Sequence, residues 1–252
     1  MRSLLAVYLA AIYVFLHAPL AVLAAFSFNS SRYSLWEGFS LRWYAALLAD
    51  EQLLESAMNS LAIAAGATAV ATAAGTLCAY ALWKRRVHWI SLGLYSSLLT
   101  PEIVAGVSLL ALFQWAFRYL GLRLGMHTVM LAHVSFCLAY VVLVVLARLR
   151  TVDRALEEAA LDLGATEWEA FRRVTLPLLG PAIAAAALLA FAMSFDDYVI
   201  TSLVAGVDSE TLPMVMYAMA KRGGTPVLNA ASALTTVGIG ALVLMAERLR
   251  EQ

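Results

Sequence analysis

Residues 128–147 read TVMLAHVSFCLAYVVLVVLA, a run of twenty residues without a single Asp, Glu, Lys or Arg. A helix of about 20 mostly apolar residues is long enough to cross the hydrocarbon core of a bilayer. The rest of the chain has a similar composition, since 63% of its 252 residues are hydrophobic and only 13% are charged. Soluble domains average about 45–50% apolar and about 25% charged residues. The composition therefore predicts an all-α integral membrane protein and excludes an ordinary soluble fold.

Six stretches of the chain have the length and composition of a membrane-spanning helix. They are residues 4–27, 57–82, 89–117, 128–147, 178–204 and 229–246. The third is long for one span and contains Pro101, which predicts a kink or an interfacial lead-in. Residues 205–228 include TLPMVMYAMA, which is too short to span and predicts an interfacial or re-entrant helix. No internal repeat separates these stretches, so we expect a single transmembrane domain over residues 1–252.

The N-terminus has features of both a signal peptide and a span. It begins with a basic residue and continues into an apolar run with small residues near its end, as a signal peptide does. The apolar core of a signal peptide covers about 7–15 residues. Leu4–Phe28 is longer and is interrupted only by His17, Pro19 and Ser27. We therefore expect a retained transmembrane helix.

The basic residues predict the orientation. If the N-terminus is inside, eleven of the 17 Lys and Arg residues lie on the inner side and six on the outer side. Inner loops of membrane proteins are enriched in Lys and Arg. Both termini and the segment 148–177 are therefore predicted to be cytoplasmic. The formal net charge is zero, which gives no support for a nucleic-acid partner.

The predicted cytoplasmic segment has a helical pattern. Residues 155–177 read ALEEAALDLGATEWEAFRRVTLP. An apolar stripe repeats at the i, i+3, i+4 and i+7 positions of a helix. It consists of Leu156, Ala159, Ala160 and Leu163, with Glu157, Glu158 and Asp162 on the other sides. The first helix is expected to end at Gly164.

A second helix is predicted to follow this glycine. Thr166 and Glu169 have the spacing of a capping box. Trp168 and Phe171 share the apolar face of this helix, and Pro177 marks the return to the membrane. One interpretation is an amphipathic loop on lipid headgroups. The polar face is acidic, however, and the cytoplasmic leaflet is anionic, so a protein partner is favoured.

No pattern of catalytic residues accompanies this segment. A phosphate-binding loop needs the pattern GxxxxGK[ST]. The two lysines, Lys84 and Lys221, both lack a preceding glycine, and the sequence contains no HExxH or GxSxG pattern. The four histidines, including His133, are therefore interpreted as interfacial or packing residues. We expect no enzyme activity, no cofactor and no metal site in this chain.

The segment resembles the coupling loop of ABC-importer permeases. That family has the motif EAA-x3-G-x9-I-x-LP, and Glu158-Ala159-Ala160, Gly164, Val174 and Leu176-Pro177 match it with valine in place of isoleucine. Among type I importers, the chain is most similar to the second permease subunit of spermidine/putrescine importers. That likeness is carried by FSFNSSRYSLWEGFSLRWYAALL at 26–48, SFDDYVITSLVAG at 194–206 and LPMVMYAMAKRGGTPVLNA at 212–230.

The resemblance implies a bacterial inner-membrane, multi-pass permease that takes no part in ATP hydrolysis itself. It implies a heterodimer with a homologous permease, two ATPase subunits that bind ATP and Mg²⁺, and a periplasmic substrate-binding protein. The residues expected to couple to the ATPase are Leu156, Glu158, Ala159, Ala160, Leu163, Gly164, Trp168, Phe171, Leu176 and Pro177.

Acidic and aromatic residues in the third and fifth predicted spans suggest a path for a cation. Carboxylates can replace the hydration of a polyamine, and aromatic faces can contact its charges. The candidates are Glu102, Trp115, Phe195, Asp196, Asp197 and Tyr198. The aspartates are expected near the outer boundary of the membrane, and Glu102 deeper. A structural salt bridge from either aspartate to Lys221 or Arg222 is an alternative.

Other functions also fit the sequence. The same architecture could carry another organic cation or small solute. An ion-driven secondary transporter would have inverted repeats and broken helices and would need no ATPase. A membrane scaffold or sensor would bind an ATPase through the segment but transport nothing.

Overall fold

The computed structural model describes residues 2–33, 35–85 and 88–250. Within them the regular structure is helical, apart from one isolated antiparallel bridge between Asn29 and Phe39. The helices are α1 (Arg2–Phe26), α2 (Arg42–Leu48), α3 (Glu51–Lys84), α4 (His88–Leu99), α5 (Glu102–Leu120), α6 (Met126–Leu149), α7 (Ala155–Asp162), α8 (Glu167–Ala170), α9 (Leu176–Asp196), α10 (Val199–Val204), α11 (Leu212–Lys221) and α12 (Pro226–Arg250), with a π-helical turn at Phe171–Thr175 between α8 and α9.

Six helices in the described part of the chain are long and apolar enough to cross a membrane, which confirms the predicted number of spans. They cover Leu4–Phe26, Glu51–Lys84, Glu102–Leu120, Met126–Leu149, Glu167–Asp196 and Pro226–Leu249. The short helix predicted after the fifth span is also present as α11. Its interfacial or re-entrant placement, the N-in/C-in orientation and the retention of α1 stay predictions.

The third span, predicted at 89–117 with a kink or an interfacial lead-in at Pro101, is divided into two helices. The chain breaks at Thr100 and Pro101, so that α4 ends at Leu99 and α5 begins at Glu102. Pro101 has an extended conformation, with φ −57° and ψ 137°. Proline lacks an amide hydrogen and disfavours a helical conformation in the residue before it. Pro101 therefore separates α4 from α5, and of these two helices α5 has the length of a span.

The fifth span also has different ends from those predicted. It extends from Glu167 to Asp196, instead of 178–204. Pro177 does not start it, because the chain passes from α8 through the π turn at Phe171–Thr175 into α9 without a break. Pro177 cannot donate a hydrogen bond to the preceding turn, and a π turn is one way in which a helix accommodates such a gap. The C-terminal end of this span lies at Asp196 because Asp197 leaves the helical conformation.

The chain divides into two compact units. One comprises Met1–Ala57 and Leu212–Gly240. In it, Asn29 organises the loop after α1. Its Oδ1 accepts hydrogen bonds from the backbone N–H groups of Ser31 (3.2 Å) and Glu37 (3.0 Å), and its Nδ2 donates to the carbonyl of Leu35 (2.7 Å). The expectation of a single domain stays a prediction.

The other unit comprises Met58–Thr211 and Ala241–Gln252, and α6 lies at its centre. One cluster of buried residues joins α6 to α3 and α9, and a second joins it to α3, α5 and α10. Close approach depends on small residues, as is usual between membrane helices. At Gly75 of α3, a Cβ would lie 2.7 Å from Cγ1 of Val141 in α6.

Candidate docking surface and polar membrane site

The segment after α6 has the local structure that its sequence predicts. The N–H of Ala155 donates to Oδ1 of Asp153 (3.0 Å) as α7 begins. At its end, Gly164 has φ +92°, and the N–H of Ala165 donates to the carbonyl of Ala160 (3.0 Å). This is the Schellman arrangement that ends many helices, and glycine suits the positive φ.

The capping box at the start of α8 is confirmed. The N–H of Glu169 donates to Oγ1 of Thr166 (3.3 Å), and the N–H of Thr166 donates to Oε2 of Glu169 (3.0 Å). The two caps are separated only by Gly164 and Ala165. They set the angle between α7 and α8, so that the segment has a defined shape before any partner binds.

Several predicted coupling residues lie at the surface of this chain. We define the docking surface as the predicted coupling residues that are exposed between the start of α7 and the end of α8: Leu156 (50% exposed), Glu158, Ala159, Leu163 (90% exposed), Gly164 and Trp168 (61% exposed). Ala160 and Leu176 are half-buried, and Pro177 is exposed beyond the π turn. Exposed large apolar side chains on a structured segment are typical of an interaction site.

Phe171 differs from the other predicted coupling residues because it is buried. Only 3% of it is exposed. Its ring centroid lies 4.5 Å from that of Tyr80 and 5.4 Å from that of Trp168. It therefore supports the docking surface from inside the chain and does not form part of it.

The sequence interpretation missed the role of Glu157. It was assigned to the polar side of α7, yet only 3% of it is exposed. Its Oε1 accepts a hydrogen bond from the Tyr80 hydroxyl (2.5 Å) and pairs with Lys84 Nζ at 2.7 Å. Tyr80 and Lys84 are four residues apart on α3 and so face the same way. The four-residue spacing of a tyrosine and a lysine at the end of a span was the sequence signal that could have indicated a partner for Glu157.

An open groove lies between α3 and the helix formed by α8, the π turn and α9. Its volume is about 510 Å³. Three threonines one turn apart on α3 line it, and their buried hydroxyls have no hydrogen-bond partner within the described residues. The residues lining the groove are Thr68, Ala69, Thr72, Ala73, Thr76, Leu77, Trp168, Phe171, Leu176, Ile183 and Ala187. Trp168 thus belongs to both this groove and the docking surface, and Phe171, which supports that surface, also lines the groove.

A buried polar cluster surrounds the break after α9. Asp197 accepts hydrogen bonds at Oδ2 from the backbone N–H (2.8 Å) and the hydroxyl (2.7 Å) of Thr201, and so caps α10. His133 of α6 is hydrogen-bonded through Nε2 to the Thr201 hydroxyl (2.9 Å) and through Nδ1 to the Ser194 hydroxyl (2.7 Å). Its Nε2 lies 3.4 Å from Oδ2 of Asp197. His133 is therefore a hydrogen-bonded packing residue.

The two adjacent aspartates have different environments. The side chain of Asp197 is only 8% exposed and is held by His133 and Thr201, whereas Asp196 is exposed at the last residue of α9. Phe195 and Tyr198 beside them are half-buried. Asp196 is thus the aspartate of this pair that is available to a substrate.

The structure does not bring all six predicted path residues together. Glu102 is the first residue of α5 and is exposed. Trp115 is 64% exposed and contacts Tyr119, with ring centroids 5.9 Å apart. It lies thirteen residues after Glu102, about 20 Å along the helix at 1.5 Å per residue. Any contact of both residues with one small substrate would therefore have to be sequential.

These features fit the class of multi-span membrane transport proteins. The chain belongs to the family described as "Binding-protein-dependent transport system inner membrane component", which matches residues 71–250. It is thus a permease component of such a system and lies in the inner membrane. The expectation of a polytopic helical permease is confirmed.

Its curated relatives include permeases of two related transport systems. It is 39% identical to the spermidine/putrescine transport system permease protein PotC of Escherichia coli, over 91% of this chain and 87% of the relative. It is 41% identical to the putrescine transport system permease protein PotI of Escherichia coli, over 90% and 84%. The PotC protein of Haemophilus influenzae is 40% identical, over 94% and 92%.

Solved structures support the same fold. A chain of a bacterial ABC transporter involved in the import of the acidic polysaccharide alginate has a TM-score of 0.77 at 16% identity, covering 99% of this chain and 94% of that chain. A chain of the MetNI methionine ABC transporter has a TM-score of 0.62 at 16% identity, covering 80% and 98%.

Proposed function

We propose that this chain is the permease subunit of an ATP-driven polyamine importer, and that α7 couples it to a separate ATPase. A homologous permease completes the translocation path, and a periplasmic binding protein delivers the substrate. Two ATPase subunits bind ATP and Mg²⁺ and dock on the cytoplasmic side, where both termini of this chain also lie. The permease itself has no catalytic site.

The observation that carries the coupling role is the docking surface. Leu156, Leu163 and Trp168 are exposed on a short segment in which the end of α7 and the start of α8 are both capped. A helix with a small, apolar outer face suits a cleft on a partner protein. The acidic residues beside it argue against binding to an anionic membrane surface.

The polyamine substrate is supported by the relatives and by the acidic side chains. PotC is named as a spermidine/putrescine permease and PotI as a putrescine permease, and both align over about nine-tenths of this chain. Asp196 supplies an exposed carboxylate where α9 ends, next to the aromatic side chains of Phe195 and Tyr198. Ionisable residues in a span usually face a cavity or a partner. We propose that Asp196 contacts the passing cation and that Glu102 and Trp115 contact it at other depths.

Transport by the complete complex in proteoliposomes tests the substrate and the energy source together. We expect uptake of labelled spermidine or putrescine only when ATP and the binding protein are both present. Uptake driven by an ion gradient without ATP would instead support a secondary transporter. Uptake of a different organic cation, with no competition by polyamines, would contradict the proposed polyamine substrate. The assignment to ATP-driven importers would still hold.

Leu163→Asp tests the docking surface, with Val207→Asp as its control. The two side chains are 90% and 86% exposed, and Val207 lies in the loop predicted on the opposite side of the membrane. A carboxylate buried in an interface without a partner costs several kcal/mol. We therefore expect Leu163→Asp to lower the amount of copurified ATPase by about tenfold or more, since tenfold corresponds to about 1.4 kcal/mol. Equal copurification of the two variants would refute docking at this surface.

A further inference from the structure

We propose that Glu157 is a positioning residue which, with Tyr80 and Lys84, fastens the coupling helix α7 to the inner end of span α3. Displacement of α7 by an ATPase is then transmitted to α3 without a change in the contact between them. This inference rests on the proposed coupling function and extends it to a specific mechanical connection. We call Tyr80, Lys84 and Glu157 the latch.

Glu157 is the buried member of the latch, whereas the side chain of Lys84 is 31% exposed. Glu157 is 3% exposed, and one of its oxygens meets both the Tyr80 hydroxyl at 2.5 Å and Lys84 Nζ at 2.7 Å. Separating this buried carboxylate from its partners would leave its charge uncompensated in a poorly solvated site, which is energetically unfavourable. A displacement of α7 that pulled Glu157 away from α3 would meet this cost, whereas a displacement of both helices together would not.

A second contact lies one helical turn away and reinforces the latch. Nη2 of Arg154 donates to the backbone carbonyl of Trp83 at 2.6 Å, and its guanidinium lies 4.8 Å from the centre of the Trp83 ring. The last carbonyl groups of a helix lack partners within the helix, so this bond satisfies one of them. The first turn of α7 is thus held by the last turn of α3 at two points. Two points of contact restrain rotation as well as separation.

The latch also contacts the inner end of the fifth span. The Tyr80 ring lies 4.5 Å from the ring of Phe171, in the π turn before α9. Phe171 is buried and lines the groove between α3 and α9. A movement of Tyr80 with Glu157 therefore reaches both walls of this groove. π turns are often found at functional sites, because they interrupt the regular hydrogen-bond ladder.

The inner and outer sides of α7 have separate roles in this arrangement. Glu157 faces α3, while the adjacent Glu158 is exposed with Leu156 on the docking surface. The second oxygen of Glu157, Oε2, is buried without a hydrogen-bond partner in the described residues. An ion pair whose buried carboxylate keeps one unsatisfied oxygen is a poor source of stability compared with apolar packing. Its geometry is better suited to fixing the direction of α7.

The test compares Glu157→Gln with Asp162→Asn in the complete reconstituted complex. Asp162 is an exposed acidic residue at the end of the same helix. We expect Glu157→Gln to retain the ATPase subunits and ATP hydrolysis but to move about 5-fold less substrate per ATP, the lower end of a typical coupling of 1–3 kcal/mol. Asp162→Asn should match the wild type. Tyr80→Phe, which retains the ring packing, provides a second variant if Glu157→Gln fails to insert.

A distance measurement separates a mechanical role from a structural one. Spin labels on the exposed faces of α7 and the end of α3 should keep a constant separation when ATP binds to the wild type, and an altered separation in Glu157→Gln. The exchange Glu157→Lys with Lys84→Glu should restore part of the transport lost in each single variant. Wild-type transport per ATP in both Glu157→Gln and Tyr80→Phe would overturn the latch, as would loss of the ATPase from Glu157→Gln.

Failure of the latch can be distinguished from failure of the proposed function. If Leu163→Asp abolishes copurification while the latch variants transport normally, coupling through α7 stands and the latch is wrong. If Leu163→Asp leaves copurification unchanged, the docking surface itself is wrong.

Discussion

Substitutions at Gly164 can separate the effect of backbone strain from the effect of contact with a partner. Its φ of +92° is unfavourable for any other L-residue, and each replacement costs about 1–2 kcal/mol in the folded chain. A Cβ at this position meets no atom within 4 Å. Gly164→Ala and Gly164→Leu therefore bear a similar strain, and the Cβ of neither clashes within this chain. They differ only in the volume that they present to a partner.

The prediction is that Gly164→Leu loses function while Gly164→Ala retains most of it. Both variants are expected to insert all six spans and to show similar melting temperatures in detergent, because the strain is common to both. Copurification of the ATPase and its stimulation by the loaded binding protein should fall about tenfold or more with leucine, the ratio that corresponds to about 1.4 kcal/mol. Equal stimulation in the two variants would refute close approach at Gly164.

Two further predictions concern the interior of the permease. Gly75→Ala should lower the free energy of unfolding by about 1–3 kcal/mol through overpacking against Val141. A second change, Val141→Ala, should partly restore the stability in a thermal assay. Gly180→Ala, where a Cβ meets no atom within 4 Å, is the control and should not be destabilising. Asp197→Asn should lower the melting temperature, because hydrogen bonds to charged groups contribute about 1.5–3 kcal/mol each. Asp196→Asn should leave the melting temperature unchanged but slow polyamine uptake, and the reverse pattern would refute the different roles of the two aspartates.

The helical membrane class could be predicted because it depends on composition and on runs of apolar residues. A bilayer satisfies no backbone polar groups, so a run such as 128–147 has almost no alternative to a helix. The caps around Gly164 were also predictable, since they are made by residues within a few positions of one another. Gly164, Thr166 and Glu169 occupy their expected places.

The ends of the spans were less predictable because proline and aspartate act differently in different surroundings. Pro101 ends a helix, whereas Pro177 lies within a continuous one that adjusts through a π turn. Asp197 looked equivalent to Asp196 on a helix that was expected to continue to residue 204. Contacts with His133 and Thr201 stabilise its extended conformation and end the helix there.

The sequence by itself determined that this chain is a six-span helical membrane protein with a capped, glycine-hinged segment, because local pattern and apolar length decide those features. The tertiary structure alone decided which side chains of that segment face outward. Glu157 and Glu158 are adjacent and identical in type, yet only Glu157 is buried, since Tyr80 and Lys84 lie more than seventy positions away in the chain and meet it only after folding. Adjacent residues on a helix point about 100° apart, and only the packing of another helix decides which of them is covered.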